Sequence, residues 1–268
     1  MISINTNYGS MYASKSASAA QKTMNVSMER LSSGLRINSA KDDAAGQGIA
    51  TRLSAEIMGL DMASRNASDA QAMIDTAESA HQEVHNMLLR MREIAVQAAN
   101  DTLSTADRTA LNEEITALET EITAIADNTA FAGVNLGTST AVTFQIGTGN
   151  GDTLEHTFKD FDKTKIGASV AVDTITNAAS ALTLLDNAIS LVSTRRGELG
   201  ALSNRLSSTI ANLDNISVNL SSARGRIQDT DFAQETSNLA KSQIMQQAAT
   251  AMLAQANASK QTVLALIQ

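Results

Sequence analysis

Apolar residues recur every seven positions over two long stretches of the chain, and between those stretches the period falls to two. In the later stretch Leu185, Val192, Leu199, Leu206, Leu213, Leu220 and Ile227 form one column, with Leu182, Ile189 and Ile210 three residues ahead of its members. Apolar positions at heptad spacing line one face of an α-helix, so this column predicts a single long helix with a rod seam at Leu185, Val192, Leu199, Leu206, Leu213 and Leu220. From about residue 178 to 222 such a helix would reach roughly 65 Å, more than a compact domain of this mass is wide. The earlier stretch carries a matching pair of columns, Leu53, Leu60, Ala67, Ile74, His81, Leu88 and Ala95 beside Ala63, Ala70, Ala77, Val84, Met91 and Ala98. Alanine at so many of these positions lets facing helices approach closely. A third helix is predicted after Asn100-Asp101-Thr102. There Ser104 and Asp107 have capping-box spacing, and Leu111, Ile115, Leu118, Ile122 and Ile125 follow at steps of four and three.

In the middle stretch Val142, Phe144 and Ile146 alternate with Thr143 and Gln145. Turn chemistry follows from Gly147 to Asp152, and Leu154, His156 and Phe158 then resume the alternation. This pattern predicts a β-hairpin with a loop longer than two residues. Both chain ends read as amphipathic helices. Met24, Met28, Leu31 and Leu35 make a short stripe at one end. Met245, Ala249, Met252, Ala256, Val263 and Leu266 make a longer one at the other, widened by Leu253, Leu264 and Ile267. Isolated helices of this kind are marginal in water, so the ends need partners, and methionine suits a surface that adapts to several neighbours. The expected fold is mainly α: an elongated antiparallel helical bundle with a small β-hairpin region, plus paired terminal helices. The expected divisions are a terminal inner-core helix over 1–44 pairing with 227–268, two rod helices over 45–130, the hairpin region over 131–177 and a rod helix over 178–226.

Composition narrows the function. The 268 residues carry 20 Lys and Arg against 28 Asp and Glu, a formal charge of −8, which argues against a reader of nucleic-acid phosphates. With no cysteine, a disulfide framework, a thiolate metal site and a cysteine nucleophile are excluded. With no proline, long helices run without their usual stop. No run of about 18 consecutive apolar residues is present, so no membrane insertion is expected, and the polar first residues lack an apolar signal region.

Candidate chemistry is sparse. His81-Gln82-Glu83-Val84-His85 invites comparison with the zincin helix, in which Glu directly follows the first His. Here Glu83 lies two residues on, about 200° around the helix, and no third ligand is evident. Adjacent Asp42 and Asp43 do not converge on one substrate atom, and they read as a polar joint between the first helix and the rod. Asn25, Asn66, Asn215, Asn219 and Asn257 match the Asn-x-Ser acceptor pattern but fall on predicted helices. No catalytic residue, cofactor or metal is expected.

Several strings are more specific than a generic coiled coil. Residues 31–53, LSSGLRINSAKDDAAGQGIATRL, resemble the N-terminal signature of bacterial flagellin, and residues 88–100, LLRMREIAVQAAN, its next helix. The stretch from RGELGALSNRL at 196–206 to the terminal VLALIQ resembles the flagellin C-terminus. The resemblance implies a subunit that polymerises with copies of itself into the extracellular flagellar filament, its two ends pairing as coaxial helices that line an inner tube. It implies inner-core packing by Met24, Met28, Leu31, Leu35, Met245, Met252, Leu253, Val263, Leu264, Leu266 and Ile267. It also implies export through the flagellar type III channel without a cleaved signal, an export chaperone, and cap and junction proteins as partners. Because the hairpin leads almost directly into the helix at Ala178, the outer domains of larger flagellins are missing and a thin filament is expected. The string from Arg90 to Gln97 resembles a patch that packs between subunits and that the vertebrate innate immune receptor for flagellin grips. Arg90 and Glu114 match the family residues, whereas Ile94 stands for the more usual Leu and Leu89 for the more usual Gln. A hook-filament junction protein, or a secreted helical binding or signalling module, would share parts of this pattern.

Overall fold

The computed structural model describes the backbone of residues 6–265 and the side chains through residue 261. The elements follow in the order α1 (Tyr8–Ser33), α2 (Ala44–Ala98), α3 (Thr105–Asn128), β1 (Ala130–Phe131), β2 (Val134–Asn135), β3 (Thr140–Gln145), β4 (Thr153–Phe158), α4 (Lys163–Ile166), α5 (Ile175–Gln228) and α6 (Phe232–Ala265). The chain divides into two compact units. One holds the residues up to Ala55 and from Asn219 on, and the other is Glu56–Val218, so α2 and α5 each contribute to both. A mainly α fold with small antiparallel sheets agrees with the sequence pattern.

In the Glu56–Val218 unit the heptad columns are the core. Leu60, Ala67, Ile74, His81, Leu88 and Ala95 are all buried on α2, as are Ala63, Ala70, Ala77, Val84, Met91 and Ala98. On α5 Leu185, Val192, Leu199, Leu206 and Leu213 are buried, with Ala178, Ala181 and Ala188 completing the face. Two apolar clusters share these helices and differ in their third wall. In one, Leu88, Met91 and Ile94 pack with Leu185 and Val192 and are closed by Ile115 and Ile122 of α3. In the other, Ala70, Ile74, Leu199 and Leu206 are closed by Leu136, Leu154 and Phe158 from the strand region. The hairpin therefore covers the stretch of α2 and α5 that α3 does not reach. An 18-residue window of α5 averages a hydropathy of 1.2, although Ser, Thr and Asn interrupt its apolar residues. Length and composition alone would let it cross a membrane, but its Leu185 and Val192 face is committed to the bundle core.

Strands β3 and β4 pair antiparallel with Val142 opposite His156 and Phe144 opposite Leu154. Their inner face carries the residues that the period of two picks out. The loop is closed by Ile146 N–H donating to the Asp152 carbonyl at 3.0 Å and by Gly149 N–H donating to the Asp152 carboxylate at 2.8 Å. Strands β1 and β2 form a tighter hairpin absent from the sequence reading. Its two turn residues, Ala132 and Gly133, have φ of 50° and 85°, the all-positive turn that matches strand twist. Gly137 has no room for a side chain, because a Cβ there would lie 1.9 Å from the Ala126 carbonyl oxygen.

Polar groups hold the connections. Ser104 and Asp107 form the expected capping box on α3, and Ser104 holds the Asp107 carboxyl below the usual carboxylate range. Buried Arg108 donates to the carbonyls of Ala98 and Asn100 at 3.0 and 2.9 Å, satisfying the end of α2. The segment leading into α5 is strapped along α3: Val170 N–H donates to Glu119 at 2.7 Å and Val172 N–H to Asn112 at 2.9 Å, while Lys163 pairs with Glu119 at 3.3 Å.

Two measurements check this packing. Leu213→Asp places an unpaired carboxylate in the seam and is expected to cost roughly 3 kcal/mol of stability in thermal or urea unfolding. His81 is buried with its Nδ1 2.8 Å from the Ala77 carbonyl and its ring 4.5 Å from that of Phe161. Burial pushes its imidazole below the ordinary value. The neutral ring is therefore the folded form, and its stabilising contribution is complete above a pH of about 6.5 and is lost as pH falls toward the folded value. His81→Gln is expected to flatten the fall in melting temperature between about pH 7 and pH 5.

Candidate functional site

The unit that contains both chain ends is built differently. Asn7 caps α1 by accepting from Ser10 N–H at 3.2 Å, and Gly34 ends it at φ 73° with its N–H on the Arg30 carbonyl. The connectors that follow α1 and α5 then pair with each other. Arg36 N–H donates to the Gln228 carbonyl at 2.6 Å, Thr230 N–H donates to the Gly34 carbonyl at 3.0 Å, and Ile37 is buried beside them. Asp42 and Asp43 do separate structural work. Asp42 accepts from the Asn38 and Ser39 amides and the Ser39 hydroxyl, and these bonds, Ser39's first, hold its carboxyl below the usual range. Asp43 accepts from Gly46 N–H at 2.9 Å at the start of α2. Asp231 does the same for α6 through Ala233 and Gln234.

Helices α1 and α6 pair along a seam of small side chains. Ala13, Ala20 and Ser27 are buried on α1, and Glu235, Ser242 and Ala249 on α6, each set at intervals of seven. At one end a Cβ on Gly9 would meet that of Ala256 at 3.4 Å, and Asn7 donates to the Ala256 carbonyl at 3.1 Å. In the middle Gln246 donates to Gln21, and at the other end the Ser27 hydroxyl donates to Glu235 at 2.5 Å, with Arg30 3.7 Å from the same carboxylate. Of the stripes that the sequence pattern singles out, Ala249 and Ala256 lie in this seam, whereas the methionines and leucines do not fill it. Met24, Leu31, Leu35 and Leu253 are half-buried, while Met28, Met245 and Met252 face solvent, the last 64% exposed. Alanine and serine displace the longer side chains from the seam because they let the two backbones come close. Val263 and Leu264 lie beyond the described side chains, and Leu266 and Ile267 outside the described residues.

The consequence is an apolar exterior. Tyr8, Met11, Tyr12, Val26 and Met28 stand exposed on α1, and Phe232, Ile244, Met245 and Met252 on α6, with Tyr12 72% exposed. Two open grooves run between the helices, one lined by Thr23, Lys241 and Met245, the other by Tyr12, Ala13 and Met252. Exposed large apolar side chains in this number, with open grooves between the two helices, mark a candidate interaction surface.

On the other unit, Arg90 is exposed and already paired: its Nε and Nη2 donate to Glu114 at 3.0 and 2.8 Å and its Nη1 to Glu93 at 3.1 Å. Ile94 is 1% exposed inside the cluster with Leu88 and Ile115, so it offers no surface for contact. Leu89 and Val96 are the exposed apolar residues of this stretch. Leu185, Val192, Leu199, Leu206 and Leu213 are buried and Leu220 is half-buried. His81 and His85 do not meet a third ligand, and among the described residues no group of three His, Asp or Glu side chains is arranged to hold a metal.

Comparison with known proteins agrees with this architecture. Residues 4–140 match the bacterial flagellin N-terminal helical region and residues 182–267 the bacterial flagellin C-terminal helical region. The chain is 44% identical to a flagellin of Halalkalibacterium halodurans over 99% of both chains, and 33% identical to flagellin D of Vibrio cholerae, again over 99% of each. Among solved structures it is similar to Bacillus cereus flagellin, with a TM-score of 0.52 and 31% identity over 56% of this chain and 88% of that one. A putative flagellar hook-associated protein from Vibrio parahaemolyticus shares the fold at a TM-score of 0.61 and 16% identity, covering 70% of this chain and 100% of that one. With terminal helical regions that match at both ends and full-length likeness to the Halalkalibacterium protein, the chain belongs to the bacterial flagellin family.

Proposed function

We infer that the protein is a structural subunit that polymerises into the extracellular flagellar filament and serves motility mechanically, without a reaction of its own. The observation that carries this reading is the α1–α6 pair, which buries alanine and serine between its helices and leaves tyrosine, methionine, isoleucine and phenylalanine outside. Neighbouring copies that cover those side chains would supply the burial that the pair lacks, at about 25 cal/mol per Å² of apolar surface removed from water. The inner-core role of Met24, Met28, Leu31, Leu35, Met245, Met252 and Leu253 is accordingly one of contact between subunits more than within one. Val263, Leu264, Leu266 and Ile267 extend the same stripe in sequence. The Glu56–Val218 unit has its own two-part core and does not supply these side chains. Export through the type III channel, an export chaperone, and cap and junction proteins belong to the same reading.

Two substitutions separate the helix pair from the assembly. Met245→Asp with Met252→Asp is expected to leave the helical content and melting of the monomer unchanged, because both side chains already face solvent, and to abolish filament growth from seeds. Removal of residues 228–268 is expected to have the same effect on growth. Tubes seen by negative-stain microscopy from either variant would contradict the assignment. Long filaments from the intact protein would also distinguish a filament subunit from a hook-filament junction protein.

A second surface is proposed as a contact for the vertebrate innate immune receptor. It rests on exposed Arg90 and the half-buried Glu114 paired with it, with exposed Leu89 next to Arg90 in sequence, while Ile94 lies buried in the core of the same stretch. Monomer applied to receptor-reporter cells is expected to give a response that Arg90→Ala reduces. A flat response at saturating dose rejects it.

A further inference from the structure

The tip of the β3–β4 hairpin holds the only Asn-Gly pair in the chain, Asn150-Gly151. Both residues are exposed. Among the described residues no hydrogen bond engages the Asn150 side chain, and the Gly151 N–H donates to none of the carbonyls or carboxylates around it. Gly151 sits at φ 96°, and beyond its chain neighbours no heavy atom lies within 4 Å of where a Cβ would stand, so that side of the residue is open. The loop around the pair is fixed. Ile146 and Asp152 close it, Gln145 donates to the carbonyls of Gly147 and Gly149 at 2.8 Å, and Asp152 N–H donates to Gly149 at 3.3 Å. Thr153 N–H donates to the Gly151 carbonyl at 2.7 Å, so the bonds that order the tip leave untouched the two groups that matter here, the Asn150 side chain and the Gly151 N–H.

We propose that Asn150 is a site of spontaneous deamidation, converted to aspartate and isoaspartate with water as the only co-reactant. The chemistry follows from the geometry. Gly151 N, its proton removed by hydroxide, attacks Asn150 Cγ. The new N–Cγ bond closes a five-membered succinimide, the Cγ–NH2 bond breaks, and ammonia leaves with the proton that the glycine amide gave up. Glycine at 151 makes this approach easy because no side chain crowds the nitrogen. Water then opens the ring. Attack at Cγ gives aspartate, and attack at the Asn150 main-chain carbonyl gives isoaspartate, whose backbone runs through Cγ and is one atom longer. No electrons are exchanged. Each product adds one negative charge two residues from the Asp152 carboxylate that closes the loop, and the lengthened form falls inside the closed loop. A chain without a repair partner at hand would carry this change as a record of its age.

The test uses the intact protein, incubated in warm, mildly alkaline buffer and mapped by peptide mass spectrometry beside a free peptide of residues 145–155. Asn150 is expected to gain the mass difference between an amide and an acid. Its rate should lie within about tenfold of the free peptide, the factor that fixing one residue's backbone is worth. The product should split into two chromatographic forms, one of them a substrate for isoaspartyl methyltransferase. Asn150→Gln, which would need a six-membered ring, should remain unconverted. An Asn150 that keeps its amide after the free peptide has converted, or that converts more slowly than the chain's other asparagines, overturns the proposal.

Discussion

The close approach of α1 and α6 along alanine and serine is the constraint from which the rest of the assembly reading descends. Two helices joined through small side chains gain little apolar burial from each other. Their larger residues have nowhere to go but outward, and the polar contacts at Asn7, Gln21 and Ser27 fix the register of the pair without adding a core. The buried Glu235 carboxylate is tolerated because the Ser27 hydroxyl and the Arg30 guanidinium both face it. A pair built in this way is specified in geometry and unfinished in energy, the property that a self-assembling end requires.

The other unit solves the opposite problem. Its α2 and α5 also use many alanines, yet each finds a third wall, α3 along one stretch and the β3–β4 hairpin along the next. Large side chains such as Leu88, Ile115, Phe158 and Leu206 fill the space that the alanines leave. The exposed apolar residues there, Leu89 and Val96 among them, are set on a body that is stable without them. The protein thereby separates a part that holds its shape from a part that acquires neighbours.

Much of this was legible in the sequence, and the exceptions have physical causes. The heptad columns located α2 and α5 almost residue by residue, the capping box located the start of α3, and the alternation around Val142 and Leu154 placed the inner face of the hairpin. The C-terminal stripe includes two seam residues, Ala249 and Ala256, but periodicity arguments weight large apolar residues and give no sign of Ala13, Ala20 and Ser27, which act by being small. Ile94 was assigned to the surface from family resemblance, but it continues the buried face of α2 beside Ala95 and Met91. The β1–β2 turn was missed because Ala132-Gly133 lacks the Asn-Gly or Asp-Gly signature of that turn type, and Ala132 accepts a positive φ that alanine rarely adopts. Glu119 and Arg108 gave no signal at all. Their buried roles depend on backbone groups of other elements, Val170 for one and the end of α2 for the other.

The central claim is that the terminal helices depend on identical neighbours for their stability. Residue-resolved amide hydrogen exchange on dilute monomer and on filaments measures this dependence directly. The account predicts fast exchange across α1 and α6 in the monomer and protection of both in filaments, with the Glu56–Val218 core protected in each state. Equal protection of α1 and α6 in the dilute monomer would contradict it.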